Sequence, residues 1–599
     1  MSSPFVKAMD DLQSKVNGLV MGENGMLAHA TTNSNLLDLF FVLVRDLNAQ
    51  SLSSKVTLIM SIIKKNEDEN LLVDLFVLMF QTRDCRNGKG EKKLFYHFFL
   101  EMYKHYPQTV IALLPEISKY GYFKDFLNLL VIPLESNLAY GDLSRLQSAI
   151  VDLYAAQLLK DKEELDSSKS EGTDKVAQLS FAAKFAPRHG KQFSFFYKLL
   201  VKKLFLKSST PEKDYRKLVV KLTKVLEVPE ILMCSKHYEN INFKNVPSLC
   251  LNRCRKAFLN ELVTRKGHPH IPLSPGQEET GNRFPNDINR IKCRNNLQLA
   301  CAEGKVCGKV LQPHELVKQI MTNPLISSVD CSVYDAQWAK IKEGVLEGIA
   351  KLMSHSDSTT INLGKLVPLV DVSGSMEGIP MIVAISLGIL VSELSNPAFR
   401  NRFITFHENP TWVSLEGITS LKDKVVKTMA APWGQSTNFE AALMMILNVA
   451  VEKKLVPEEI PDIIVFSDMQ LNKAGKYGET MHDLIKRRFA KAGKEICGRP
   501  YGPPKIIYWN LRANTVGFPV QANAPNTQLL SGFSPSLLKL LLDGETLITE
   551  EVTSDGTVIN KGITPEETLR KALDDENYDS IRSILSASNE GLLSKYSSN

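Results

Sequence analysis

The sequence predicts an α + α/β chain: a long helical N-terminal region, then a doubly wound, mostly parallel α/β domain. Three observations predict it. Before about residue 355, apolar residues cluster at three-to-four-residue spacing. Beyond 360, short apolar runs that suit strands alternate with helix-spaced ones. Two of those runs, ending at Asp371 and just before Asp468, stop at an acidic residue. Buried parallel strands end this way when they deliver a carboxylate to the sheet's C-terminal edge, where open α/β sheets bind ligands.

The helical clusters come first. Residues 36–44, 56–63, 71–80 and 94–103 are apolar at helical spacing, and Pro107, Pro115 and Pro133 read as punctuation between helices. A series of short helices suggests antiparallel pairs stacked as an α-solenoid of HEAT-like repeats, although no fixed period stands out. Residues 160–175 are charged and Ser-rich and read as an exposed loop; residues 267–290 hold four prolines and read as a long loop. The polar stretch 355–360 precedes the first strand. Strands are predicted at 365–370, 402–406, 411–415, 462–467 and 505–511, with a last one within 529–534; helices are predicted at 379–394, 438–453, 477–492 and 535–543. The predicted organisation is an N-terminal extension over 1–34, a helical domain over 35–355, an α/β domain over 360–548 and a C-terminal tail over 549–599.

The 599 residues require more than one domain, and 44% hydrophobic and 23% charged residues are ordinary for a soluble globular protein. The first 18 residues lack a signal-peptide layout, and the longest apolar stretch, 379–391, falls short of the roughly 20 residues a bilayer span needs. No membrane association is expected. Nine cysteines without framework spacing suggest free thiols and a reducing, cytoplasmic setting, or a virion or virus factory if the source is viral. Charge is uneven. Residues 1–360 carry 48 Lys+Arg against 39 Asp+Glu, whereas 361–599 carry 24 against 27. Within the first part, residues 186–310 hold 24 basic and 10 acidic residues, which marks a candidate polyanion-binding segment.

Five residues on three loops form a candidate metal site: Asp371, Ser373 and Ser375 in Asp-Val-Ser-Gly-Ser, Thr437 in Gly-Gln-Ser-Thr-Asn, and Asp468 after the fourth strand. Two carboxylates and three hydroxyls suit a hard divalent cation, Mg²⁺ or Mn²⁺. The competing reading is local: Asp371 caps the next helix and the serines satisfy turn amides. In order and type the five positions resemble the metal-ion-dependent adhesion site (MIDAS) of von Willebrand factor A (vWA) domains. That resemblance implies a Rossmann-like vWA fold and a metal that captures an acidic side chain of a partner.

Helical N-terminal residues joined to such a domain resemble the TROVE-module proteins, of which the Ro ribonucleoprotein autoantigen is a member. Segments 83–92 (Arg-Asp-Cys-Arg-Asn-Gly-Lys-Gly-Glu-Lys), 182–188, 245–248 and 531–534 are similar to a further branch with this layout, known from plants, bacteria and large DNA viruses. The resemblance to the Ro protein implies binding of structured or single-stranded RNA by the helical part. The candidate RNA contacts are Arg188, Lys191, Arg253, Arg255, Lys256, Arg265, Lys266, Lys292 and Arg294, with a solvated basic face as the alternative. Phe193, Phe195, Phe196 and Tyr197 nearby read as core more than as stacking platforms.

Other motifs are weaker. Residues 87–93 are rich in Gly and Lys without P-loop spacing, and read as a solvated basic turn or a phosphate-contacting loop. Cys250, Cys254, Cys301 and Cys307 lack zinc-ligand spacing and read as structural thiols; His268 and His270 read as a loop turn. An aspartate-nucleophile phosphatase would need Asp two residues after Asp371, where Ser373 stands. The expected function is therefore non-enzymatic: RNA binding combined with metal-dependent ligand capture, or a protein–protein adaptor acting through the metal site.

Overall fold

The structure is a computed structural model that describes residues 18–135, 138–170, 178–262, 274–323, 328–353, 362–407, 409–432, 434, 438–473, 479–498, 500–541, 549–552 and 558–587. A short hairpin, β1 (Leu19–Met21) and β2 (Leu27–His29), precedes helices that run from Asn35 to Met353. The C-terminal part contains β3 (Leu366–Asp371), β4 (Arg402–Phe406), β5 (Thr411–Ser414), β6 (Asp462–Ser467), β7 (Ile506–Asn510) and β8 (Thr527–Ser531), followed by a second hairpin of β9 (Thr549–Val552) and β10 (Val558–Lys561). Two helices, Pro565–Leu573 and Asp579–Ala587, close the described chain.

β3 to β8 form one sheet in the order β5-β4-β3-β6-β7-β8, parallel except for the β4–β5 pair at the edge. The order reverses between β3 and β6, which makes their C-terminal ends the crevice of the sheet. β3, β7 and β8 are buried at every position, as a parallel sheet covered on both faces requires. The helix Ile379–Leu394 lies directly on β3. A Cβ on Gly388 would come within 2.4 Å of Val370, so only glycine lets helix and strand approach this closely. That buried helix is the long apolar stretch of the sequence. Among the described residues no helix is long and apolar enough to cross a membrane.

Three features depart from the sequence reading. The N-terminal hairpin docks on the C-terminal part, where His29 and Phe518 exchange backbone hydrogen bonds at 2.8 Å each way. The 160–175 segment is helical to Ser170, as part of the helix Ser144–Ser170; Leu165 is buried and Asp161 accepts from Ser180 and Gln157. Of the residues after 548, the described helices Pro565–Leu573 and Asp579–Ala587 pack on the rest of the protein. Tyr578 is buried, stacks on Tyr120 at 5.5 Å and donates to Asp84, while Arg570 pairs with Asp74 at 2.7 Å. The final helices thus return to the N-terminal helix Glu69–Arg83.

In the Gly- and Lys-rich segment, Gly88, Lys89 and Glu91 are buried, while Lys92 and Lys93 stay exposed. The Lys89 amide donates to the Gln81 carbonyl and the Glu91 amide to the Thr82 carbonyl, which folds the loop back on the preceding helix. A Cβ on Gly88 would lie 2.1 Å from the Gln81 oxygen. Lys89 is buried, and its ammonium donates to the carbonyls of Phe40, Leu43 and Ser531. Ile241, Phe243, Val246, Leu251, Phe258 and Leu259 form a smaller separate core with Cys293, Leu297, Cys301, Val306 and Val333.

Candidate metal centre and basic residues

β3 and β6 run parallel with Val370 beside Phe466, so their ends place Asp371 next to Ser467 and Asp468 one residue beyond. Both aspartates are fully buried, as is Ser373. Each carboxylate is held by the same local device. The Ser373 amide donates to Asp371 Oδ1 at 3.0 Å, and the Gln470 amide donates to Asp468 Oδ1 at 3.1 Å. These are Asx turns, in which a carboxylate accepts from the amide two residues on. Met469, at φ 62°, supplies the left-handed backbone for the second.

The remaining oxygens differ. Asp371 Oδ2 accepts from the Ser467 hydroxyl at 2.6 Å. Among the described residues, Asp468 Oδ2 is buried without a partner. Burial, then the Asp468 charge, pushes the Asp371 carboxyl up to about 7. Ser373 Oγ and Ser375 Oγ lie 3.1 Å apart. Two buried carboxylates, an unused acceptor and adjacent hydroxyls fit a hard divalent cation, which supplies the missing positive charge. Asp371, Ser373, Ser375 and Asp468 would hold it. Thr437 lies outside the described residues. Its neighbours do not: the Asn438 amide donates to the His407 carbonyl at the end of β4, and a Cβ on Gly434 would lie 2.6 Å from His407 Nδ1. Among the described residues there is no group of three or more His, Cys, Asp or Glu that could hold a metal, so any cation here depends on the hydroxyls. Ser467 and His407 are the neighbours that motif reasoning missed. Ser467 was legible as the residue before Asp468; the approach of His407 is a matter of tertiary packing.

The nine basic candidates separate. Arg188, Lys191, Arg253, Lys256 and Lys292 are exposed. Arg294 is half-buried and donates to Asn282 at 2.7 Å. Arg255 corrects the expectation. It is buried, pairs with Asp330, donates to Gln319 at 2.7 Å and lies 4.5 Å from the Tyr334 ring centre, so its guanidinium is committed inside the protein. Arg265, Lys266, His268 and His270 lie outside the described residues. Along the helix Pro211–Val225, Lys221 pairs with Asp166 and Lys217 with Asp214. Phe196 and Tyr197 are buried and Phe195 is exposed. Burial, then Cys254, raises the Cys250 thiol to about 12 and keeps it protonated at neutral pH.

Two family models match this chain. One, a domain of unknown function designated DUF2828, matches residues 22–148 and 141–265. The other, a domain of unknown function designated DUF7788, matches residues 366–577. The second match spans the sheet, both candidate aspartates and the helix Pro565–Leu573. An uncharacterized protein of Acanthamoeba polyphaga mimivirus is 32% identical over 538 residues, covering 87% of this chain and 84% of the relative. The chain belongs to the family of that mimivirus protein.

Proposed function

We propose that this chain is a non-enzymatic RNA-binding protein of vWA and TROVE-like type, in which a Mg²⁺ or Mn²⁺ site captures an acidic ligand. The observation that carries the metal part is the buried pair of Asp371 and Asp468, with one oxygen of Asp468 unpartnered among the described residues. Such a pair is costly without a counter-charge. The hydroxyls around it leave a bound cation electrophilic, which suits capture of a carboxylate or phosphate oxygen better than activation of water. The strand order, with its reversal at β3 and β6, supports the vWA reading. The helical run from Asn35 supports a TROVE-like solenoid.

The RNA part rests on the exposed Arg188, Lys191, Arg253, Lys256 and Lys292, which are free to meet phosphates. The test is binding of a structured RNA and a 5′-hydroxyl single strand at several salt concentrations. The log–log slope should be roughly −0.7 per single-strand phosphate contacted. Reversing Lys191, Lys256 and Lys292 to Glu should weaken binding for all sequences alike. The adaptor reading is favoured by one observation: Arg255 and Arg294 spend their guanidinium groups internally. Absence of salt-sensitive RNA binding in the wild-type protein, with metal binding intact, would overturn the RNA reading and put the adaptor reading in its place.

A further inference from the structure

A cavity of about 320 Å³ lies where the N-terminal helices, the 309–315 segment and the C-terminal part meet. Its wall includes Arg45, Lys92, Lys93 and Tyr122 from the first, Lys309 from the second and Ser536 from the third. The charges on this wall are unbalanced. Arg45 is matched by Glu91 at 3.0 Å, and Lys309 by Glu347 at 2.6 Å. Lys92 and Lys93 are exposed and, among the described residues, neither pairs with a carboxylate. Glu315 also lines the cavity, in the first turn of the helix Pro313–Thr322, where the helix dipole already favours a negative charge.

Charges of both signs lie near Lys92. Partial enclosure of its ammonium, then the Arg83 charge, lowers its pKa; Asp125, which pairs with Arg83 at 2.7 Å, acts in the opposite direction, and Arg253 adds to the lowering. The Lys92 ammonium stands 5.5 Å from the Tyr122 ring centre. Lys92, Lys93 and Leu94 open the helix Lys93–His105, which no side chain caps, so its positive end contributes to the same wall. Cations gathered against an aromatic ring, in a cavity at the small end of the range for bound ligands, match a phosphate attached to a planar ring.

We infer that the cavity lined by Lys92, Lys93, Arg45 and Tyr122 is a binding site for a phosphate ester of mononucleotide size. The phosphate sits at Lys92 and Lys93 and the ring lies against Tyr122. The same chemistry comes from a free mononucleotide or from the phosphorylated end of an RNA. The site is separate from the metal centre and does not rest on the RNA-binding reading above.

The test is calorimetric titration of the full-length protein with inorganic phosphate, UMP, and a 5′-phosphorylated and a 5′-hydroxyl oligouridine decamer. Wild-type protein should bind UMP more tightly than inorganic phosphate, and K92E/K93E should weaken UMP at least tenfold with an unchanged melting temperature. If the double reversal unfolds, K93E alone, at an exposed position, supplies the reading with a smaller loss. Displacement of UMP by the 5′-phosphorylated decamer and not by the 5′-hydroxyl one assigns the site to RNA ends; binding of UMP without displacement assigns it to a free nucleotide. Wild-type protein that binds none of the phosphorylated probes, or a folded K92E/K93E protein that binds UMP as wild type does, overturns the inference. The reversal of Lys191, Lys256 and Lys292 is read on 5′-hydroxyl RNA, so failure of one proposal leaves the other standing.

Discussion

The ammonium of Lys89 donates to the carbonyl oxygen of Ser531 at 3.1 Å, across 442 residues of chain. It also reaches the carbonyls of Phe40 at 2.8 Å and Leu43 at 3.2 Å, at the C-terminal end of the helix Asn35–Val42. A cation at that end of a helix is favoured by the dipole, and the carbonyls replace its lost water. One side chain therefore joins the 83–92 segment, the first helix and the edge strand β8.

Lys89→Ala should accordingly destabilise the protein by about 3 kcal/mol or more. It leaves the Leu43 and Ser531 carbonyls unpaired and opens a cavity where the side-chain stem was. Lys93→Ala, at an exposed position four residues away, should cost less than about 0.5 kcal/mol. Urea unfolding of both variants measures the difference; equal midpoints would remove Lys89 from this joining role.

That contrast explains what sequence reasoning could reach. β3, β4 and β6 were legible because each is a largely apolar run bounded by turn residues, and they fall within one residue of the prediction; the two hairpins, β1–β2 and β9–β10, were not predicted. Asp371 and Asp468 were legible because a strand that ends in a carboxylate needs no tertiary information. Lys89 was not: a lysine flanked by glycines looks solvated until the Phe40, Leu43 and Ser531 carbonyls are brought around it from distant chain positions. Tyr578 was hidden for the same reason, since its partners Asp84 and Tyr120 lie more than 450 residues earlier. Pro133 misled in the opposite sense. It sits inside the helix Phe123–Glu135, two residues from its end, where few backbone bonds remain to be lost.

Asp468→Asn separates metal binding from stability. With chelator present, the variant should be as stable as wild type or more so, because one of two adjacent buried carboxylates has become neutral. With Mn²⁺ at a hundredfold excess over Kd, wild type should gain about 2.7 kcal/mol and the variant nothing. Thermal melts with and without Mn²⁺ decide this. A variant that still gains stability from the metal would move the cation away from Asp468.

His314 sets a pH dependence. It is buried, and burial, then the Arg45 and Lys318 charges, lowers its pKa to about 3. The unfolded chain takes up a proton at His314 near pH 6.5, whereas the folded protein does not. Its contribution to stability is therefore fully present above about pH 6.5 and is lost as the pH falls from there toward 3. Between pH 6.5 and 4.5 the loss should be about 2 kcal/mol. In His314→Gln the stability profile over this interval should be flatter by that amount. Denaturation midpoints at four or five pH values measure both slopes, and parallel profiles would refute the assignment.

Arg255 and Lys256 are neighbours in the helix Ser248–Phe258, yet replacing each should have a different consequence. Lys256 is exposed, while Arg255 is buried against Asp330, Gln319 and the Tyr334 ring. Arg255→Ala removes one partner of a buried pair and the hydrogen bond to Gln319, which should cost about 3–5 kcal/mol. Its effect on RNA, where the protein stays folded, should be no larger than that of any other destabilising change in this core. Lys256→Glu should leave the urea midpoint within about 0.5 kcal/mol of wild type and act on RNA affinity alone. Measuring stability and RNA affinity on both variants separates the roles. An Arg255→Ala protein of wild-type stability that has lost RNA binding would return Arg255 to the phosphate-contacting set and make the pair with Asp330 incidental.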